Sequence, residues 1–551
     1  MLALGAEDIE ARFLRGTSEA TKDLAVGVIG RTLTSPHDAT ALIRQHGADP
    51  KIAPRLREKG SREERSNSDG FGYSLLSLAI DNKSDNTVGA ISADGVLTRS
   101  VALPQWPDGL QEGILTALID GGADPTALKP LQVAISFANE AAFDLLMARH
   151  DLSGTDLRGS WLMGLPRPLS PIAAHQRPPP THFLKVLMSM YQRLIQRDPT
   201  LATATEPFRD DVRDGFNLVH RAAEVAKGLY PQWFMDSYLD LIVANGADTM
   251  AETPRLGETP LDLAAEEGSP EVADYLCRKL PADQIDRREA RDTPLGKAAS
   301  CLDWRTRTVQ DPSILECIKE IYDAPIPRYK MTIRALLRAG ADINSIHTSY
   351  DTERDRYCRQ LVLIEHATVL NELPGAVMSA VNAALSPHRS LAALLTPRLA
   401  VGPHEAPIFG WRIASYLFDM AAAREAISEA IGVRHSVLAR RVRAAVEHFV
   451  RSAVLRAISN REVVGRKETV GGVVVRVPLQ CFAIADGAGR LGLREVVHKA
   501  RLDEAALHGV EGVAKGFNEH LGDDECQFAW RQLGWRVEGS SGGELLSLGI
   551  T

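Results

Sequence analysis

The sequence predicts a mainly α-helical protein: an irregular α-solenoid of stacked helix pairs, followed by a helix-rich C-terminal region. Two recurring signals predict it, a helix exit and a helix entry. The exit occurs at 43–49, 118–124, 242–248 and 337–342. Each copy has an apolar residue four positions before a glycine, and Gly47, Gly122, Gly246 and Gly340 are each followed by Ala-Asp. Glycine suits a left-handed helix exit, where a Cβ would clash. The entry is clearest in Thr259-Pro260-Leu261-Asp262-Leu263-Ala264 and Thr293-Pro294-Leu295-Gly296-Lys297-Ala298. Weaker copies start at Ser74, Lys129 and Asn217. Threonine caps the helix, and proline fits a first turn that needs no donor. Leucine enters the core, and the small alanine lets a paired helix approach.

Together these signals resemble the ankyrin repeat, whose first helix opens on Thr-Pro-Leu-His-x-Ala and whose period is about 33 residues. Thr259 and Thr293 lie 34 residues apart, whereas the four exit glycines lie 75, 124 and 94 apart. The excess reads as insertions and one degenerate unit. The resemblance covers about residues 25–345 and is closest over 218–295. It implies an irregular ankyrin-type α-solenoid with six units, at 25–47, 74–122, 129–150, 217–246, 259–280 and 293–340. It also implies a protein–protein interaction scaffold without chemistry of its own. Partners of such stacks meet loop tips and the inner helix face, which here implies Arg255, Glu258, Asp262, Arg287, Arg288 and Lys297. His220 stands at the motif's histidine position, where the family uses it to bond backbone of a neighbouring unit.

Along the chain, residues 1–24 read as a short polar helix that caps the stack. Residues 52–70 mix Arg and Lys with Glu and read as a solvated insertion. Residues 83–108 read as a loop with a short strand at 95–101. Residues 152–180 are proline-rich and exclude regular helix; Ser170-Pro171-Ile172 reads as the remnant of a degenerate repeat start. Helical spacing resumes from about His182 to Gln196. From 346 to 551 the repeat signal fades, leaving worn repeats or a separate helical domain. Pro374, Pro387 and Pro397 punctuate its first helices, and 411–461 read as two long helices. Val473 to Val477 is the best strand candidate.

Composition bounds the function. The 551 residues carry 44% apolar and 24% charged residues, with a net charge of −8. That balance is ordinary for a soluble protein and argues against wholesale nucleic-acid binding. The chain shows neither a signal peptide nor a transmembrane segment, and its six cysteines are scattered, which points to a cytoplasmic, reducing compartment.

No motif demands a cofactor or metal. The fifteen histidines include no His-Glu-x-x-His. Gly487-Ala488-Gly489-Arg490-Leu491-Gly492 matches Gly-x-Gly-x-x-Gly, but no βαβ pattern surrounds it. A decayed helix pair across 478–497 is the plainer reading. Residues 434–467 hold nine Lys or Arg against two Glu, with an apolar stripe at Leu438, Val442, Val446 and Phe449. Such a helix suits an anionic membrane surface or, more simply, a packed helix with a solvated arginine face. The rival to a scaffold is an enzyme whose catalytic domain, 400–551, is tethered to the repeats.

Overall fold

The computed structural model describes residues 3–61, 72–95, 99–149, 162–167, 169, 178–205, 215–288, 292–346, 353–399, 406–456, 467–470, 472–476, 481–485, 489–517, 521–536 and 544–550. They are mainly α-helical. They divide into two compact units, 1–279 with 304–332 and 280–303 with 333–551.

The first unit is a row of helix pairs. α1 (Glu19–Gly30) pairs with α2 (Pro36–Arg44), α3 (Leu75–Leu78) with α4 (Leu110–Asp120), and α5 (Leu128–Ser136) with α6 (Glu140–Met147). α7 (Thr181–Arg197), α8 (Leu218–Ala226) and α9 (Gln232–Ala244) follow, then α10 (Pro260–Glu267) pairs with α11 (Pro270–Lys279), and α8 packs on both. First helices form one layer, α1 on α3, α3 on α5, and α8 on α10. Second helices form the other, α2 on α4, α4 on α6, α7 on α9, and α9 on α11. The entry motif explains the inner layer. Its core residues Leu76, Leu131, Val219 and Leu261, and its alanines Ala79, Ala134, Ala222 and Ala264, are all at most 1% exposed.

The exit motif is built from three local devices. Gly47, Gly122, Gly246 and Gly340 all take positive φ, between 71° and 112°. The next amide then reaches back over the helix end: Ala123 to the Leu118 carbonyl at 2.9 Å, Ala247 to Ile242 at 3.0 Å and Ala341 to Leu336 at 3.1 Å. Finally each aspartate accepts from the amide two residues on. Asp49, Asp124, Asp248 and Asp342 bond Lys51, Thr126, Met250 and Asn344 at 2.8–2.9 Å. The aspartate therefore opens a turn into the loop.

The interruptions are packed. Residues 9–12 are extended and not helical: β1 (Ile9–Arg12) pairs antiparallel with β2 (Arg55–Glu58), which lies in the stretch read from sequence as a solvated insertion. Between α3 and α4, β3 (Ser92–Ala93) pairs with β4 (Arg99–Ser100), while Val88, Ile91, Val101 and Trp106 are buried. The remnant proposed at 170–172 lies outside the described residues. Just before it, 162–167 runs in turns, and three buried tyrosines seal its carbonyls. Tyr238 donates to Met163 at 2.9 Å, Tyr191 to Gly164 at 2.7 Å and Tyr230 to Pro166 at 2.6 Å. α7 starts where the helical spacing placed it.

α12 (Ala282–Ile285), α13 (Pro294–Gln310), α14 (Glu316–Asp323) and α15 (Ile326–Ala339) follow. Thr293 caps α13, accepting from the Gly296 amide at 3.3 Å. The second unit is then organised on α16 (Glu353–Leu395), which packs against α17 (Ala406–Tyr416), α18 (Met420–Ile431), α19 (Val437–Arg456) and α20 (Leu493–His508). Three helices, not two, occupy 406–456. The apolar stripe of α19 is buried, with Leu438, Val442, Val446 and Phe449 at most 3% exposed.

Four more strands form an antiparallel sheet in the order β10 (Leu545–Ser547), β9 (Leu533–Arg536), β7 (Cys481–Ile484), β8 (Arg490–Gly492). β5 (Lys467–Val470) and β6 (Val473–Arg476) pair separately, so the strand expected at 473–477 is present over its described residues. The described part of the glycine motif, Gly489 to Gly492, leads into and forms β8, which pairs with β7 where a decayed helix pair was expected; Gly487 and Ala488 lie outside the described residues. α20 begins at the end of β8.

Pro374 and Pro387 do not end helices, as their positions suggested. Both lie inside α16, which runs for 43 residues. Proline removes the N–H that the carbonyl four residues earlier needs. At Pro374 that carbonyl belongs to Leu370, and the fully buried Arg501 supplies the donor through Nε at 2.6 Å. Its Nη2 also reaches Asn371 Oδ1 at 3.0 Å and the Ala514 carbonyl at 2.9 Å. α20 thus repairs a break in α16. Arg501→Leu should cost about 2–4 kcal/mol by stranding buried acceptors. Pro374→Ala restores an N–H for Leu370, so it should recover at least about 1 kcal/mol more in the Arg501→Leu background than in the wild type. Urea unfolding of the four proteins measures that coupling, and strict additivity would contradict the repair.

Candidate functional site

The loop between α9 and α10 is the best-defined tip of the stack. Thr253 N–H donates to the Glu258 carbonyl at 2.9 Å, the Glu258 N–H returns to Thr253 Oγ1 at 3.0 Å, and the Gly257 N–H reaches the Thr253 carbonyl at 2.8 Å. These bonds fix the base of the tip. Met250 and Leu256 are 47% and 46% exposed on it, and Arg255 is exposed beside them. A rigid tip with two apolar side chains and a guanidinium can bury area at little ordering cost.

The other residues implied by the resemblance fall elsewhere. Asp262 is buried: its Oδ2 accepts from Thr259 N–H at 3.0 Å and Thr259 Oγ1 at 2.7 Å, so it closes a capping box. Glu258 is 9% exposed and works through its backbone. In the second unit Arg288 is exposed, while Arg287 and Lys297 are half-buried. Only Arg255 and Arg288 offer mostly exposed side chains. The entry spacing locates the tip, but burial at the capping position is decided by the next turn of chain.

His220 joins two units. Its Nε2 lies 3.2 Å from the Glu258 carbonyl, and its Nδ1 lies 3.3 Å from the Asn217 amide, which donates to it. Asn217 Nδ2 donates to the Asp248 carbonyl at 2.7 Å, so one helix entry holds both ends of the tip loop. Burial pushes the His220 pKa below its ordinary 6.5, and the ring is neutral.

A second concavity, of about 530 Å³, opens where α3 leads into its insertion, at the starts of α4 and α7 and at the α5–α6 turn. Asp85, Asp108, Glu112 and Glu140 line it, with Trp106 and Phe183. Its base is a buried network. Arg31 and Asp81, 3% and 2% exposed, pair at 3.3 Å, and Arg31 donates to the Leu78 carbonyl at 2.8 Å. The guanidinium lies 4.7 Å from the centre of the Trp106 ring. Burial lowers the Arg31 pKa to about 10, against the pull of Asp81. Burial also raises Asp81, against Arg31. Desolvation dominates both, so the pair holds position more than it stabilises. Glu112 and Glu140 sit in first turns, where helix dipoles favour carboxylates. Sequence reading passed over this cleft because its walls come from four separated segments.

The geometry defines a helical-repeat protein whose pairs stack through small residues. The ankyrin repeat family model matches residues 256–289, spanning the entry at Thr259 and α11. The chain therefore carries one repeat of recognised ankyrin form, at residues 256–289. No curated protein matches the chain. Among the described residues, no helix is long and apolar enough to cross a membrane, and no group of three or more His, Cys, Asp or Glu is placed to hold a metal ion.

Asp81→Asn should cost about 3–5 kcal/mol by leaving the Arg31 charge buried and unpaired. Asp85→Asn at the rim should stay within about 0.5 kcal/mol. Denaturant unfolding distinguishes them. The histidines give a pH dependence of known sign. The folded ring of His220 stays neutral below 6.5, where the unfolded ring takes a proton, so stability is full above that pH and falls as pH drops. His366, lowered to about 4, and His498 act in the same direction. His220→Gln should flatten the slope by up to about 1.4 kcal/mol per pH unit between pH 6 and 5. An unchanged slope would mean that His220 is protonated in the fold.

Proposed function

We propose that this chain is a protein–protein interaction scaffold, in a cytoplasmic setting, with the repeat tips as its contact surface. The carrying observation is the rigid tip at 248–258, which displays Met250, Arg255 and Leu256 and leads directly into the repeat of recognised ankyrin form at 256–289. Ankyrin repeats generally mediate protein–protein contact. The mechanism is shape and charge complementarity on a pre-ordered array, with each unit held by its neighbours. Residues 25–345 carry the repeats on this reading, and 346–551 form an added helix-rich region. Arg287, Arg288 and Lys297 extend the proposed contact residues in the second unit.

A photo-crosslinking residue at position 256, with a control at Glu19, tests the reading in cells. Glu19 is 83% exposed on α1, far along the row of pairs from the tip. A discrete protein adduct at 256 and none at 19 is expected. Absence of any adduct at 256, or the same adducts at both positions, would contradict a tip-centred scaffold.

A further inference from the structure

The second unit contains a cavity that the scaffold reading does not use. It measures about 170 Å³ and lies between α16, α17, the turn at 417–419 and α18. Alanines from three helices make up half of its lining residues, including Ala384, Ala414 and Ala423, each at most 4% exposed. Leu391 and Phe418 add apolar surface, and Leu417, 70% exposed, stands at the mouth.

One polar side chain belongs to the wall. His388 is 3% exposed, and neither ring nitrogen makes a well-formed hydrogen bond in the protein, the Ala414 backbone offering only a weak contact. Its neighbours are ring edges: Trp411 at 4.3 Å and Phe418 at 5.7 Å between centroids, both nearly perpendicular. Trp411 has its own partners, because its Nε1 lies 3.2 Å from both the Ala453 and Val454 carbonyls. Burial pushes the His388 pKa below its ordinary value, against a smaller pull from the Ala414 backbone, so the imidazole is neutral. A neutral imidazole presents one donor and one acceptor, and burying both unmatched is costly. A leucine would pack there without that cost.

The same helix shows how a buried polar defect is otherwise met. At Pro374 the orphaned carbonyl is taken by Arg501. Pro387, beside His388, removes the N–H that the Ala383 carbonyl would accept, and Ala383 and Pro387 both line the cavity.

We propose that this cavity binds a small, neutral, one-ring phenol whose hydroxyl hydrogen-bonds His388. The size fits: an apolar cavity of about 150 Å³ in another protein accommodates benzene. The chemistry fits as well. A hydroxyl both donates and accepts, so it satisfies either tautomer of the ring. An anion is disfavoured by the apolar wall and by Asp419 at the rim. An aromatic ring packs edge-to-face against Phe418.

Titration of the full chain with p-cresol and with toluene, followed by ¹H–¹⁵N NMR, tests this. The two probes share shape and differ in the hydroxyl. Saturable p-cresol binding is expected, with toluene at least about tenfold weaker because it leaves the imidazole unmatched. In His388→Leu the two probes should bind equally. In Ala422→Leu, an exposed position at the mouth that leaves the core intact, both should lose binding. Circular dichroism confirms that each variant is folded. No saturable binding of either probe, equal affinity in the wild type, a p-cresol preference that persists in His388→Leu, or p-cresol binding that survives Ala422→Leu would overturn the assignment.

Discussion

A helix pair one layer thick has two apolar faces and no means of covering them alone. That constraint organises the first unit. Leu76, Leu131, Val219 and Leu261 are all at most 1% exposed, and the first helices that carry them pack on neighbouring first helices. The small alanines three residues on allow that approach. Stability is then a sum over neighbours, and any position where the pattern lapses exposes backbone as well as side chains.

Several lapses share one remedy. At these interruptions of the repeat or of a helix, a long buried side chain donates to the stranded carbonyls. Arg31 does so between α1 and α3, and Trp106 reaches the Ala79 carbonyl at 2.9 Å. Tyr191, Tyr230 and Tyr238 serve the 162–167 segment, and Arg501 serves the proline break in α16. These groups can replace lost helix bonds because they combine reach with apolar bulk. Burying an unpaired carbonyl costs more than ordering such a side chain.

Sequence legibility followed locality. The exits and entries are local devices, so Gly246, Thr259 and their equivalents could be placed from residue type alone. His220 was legible for the same reason, its bond to the next unit being implied by the family motif. The insertions were not legible. Nothing near Arg31 announces Asp81, and nothing near Pro374 announces Arg501, 127 residues later in the chain. Proline was read as a terminator because its local penalty is certain, whereas its distant compensation has no local signal. The hairpin at 481–492 was missed because its glycines suit a loop between helices equally well. At the candidate tip Arg255 is exposed, whereas Asp262 is buried, because its role as a cap depends on the fold of its own first turn.

Nearest-neighbour stacking in the first unit is most directly tested by hydrogen exchange on Leu261→Asp. The substitution puts a charge at a position that is 1% exposed between α8 and α10. Loss of amide protection should spread from α10 to α8, α9 and α11, and fade toward α1 and α2. Protection lost in α10 alone, with α8, α9 and α11 unchanged, would contradict a stack in which each pair depends on the next.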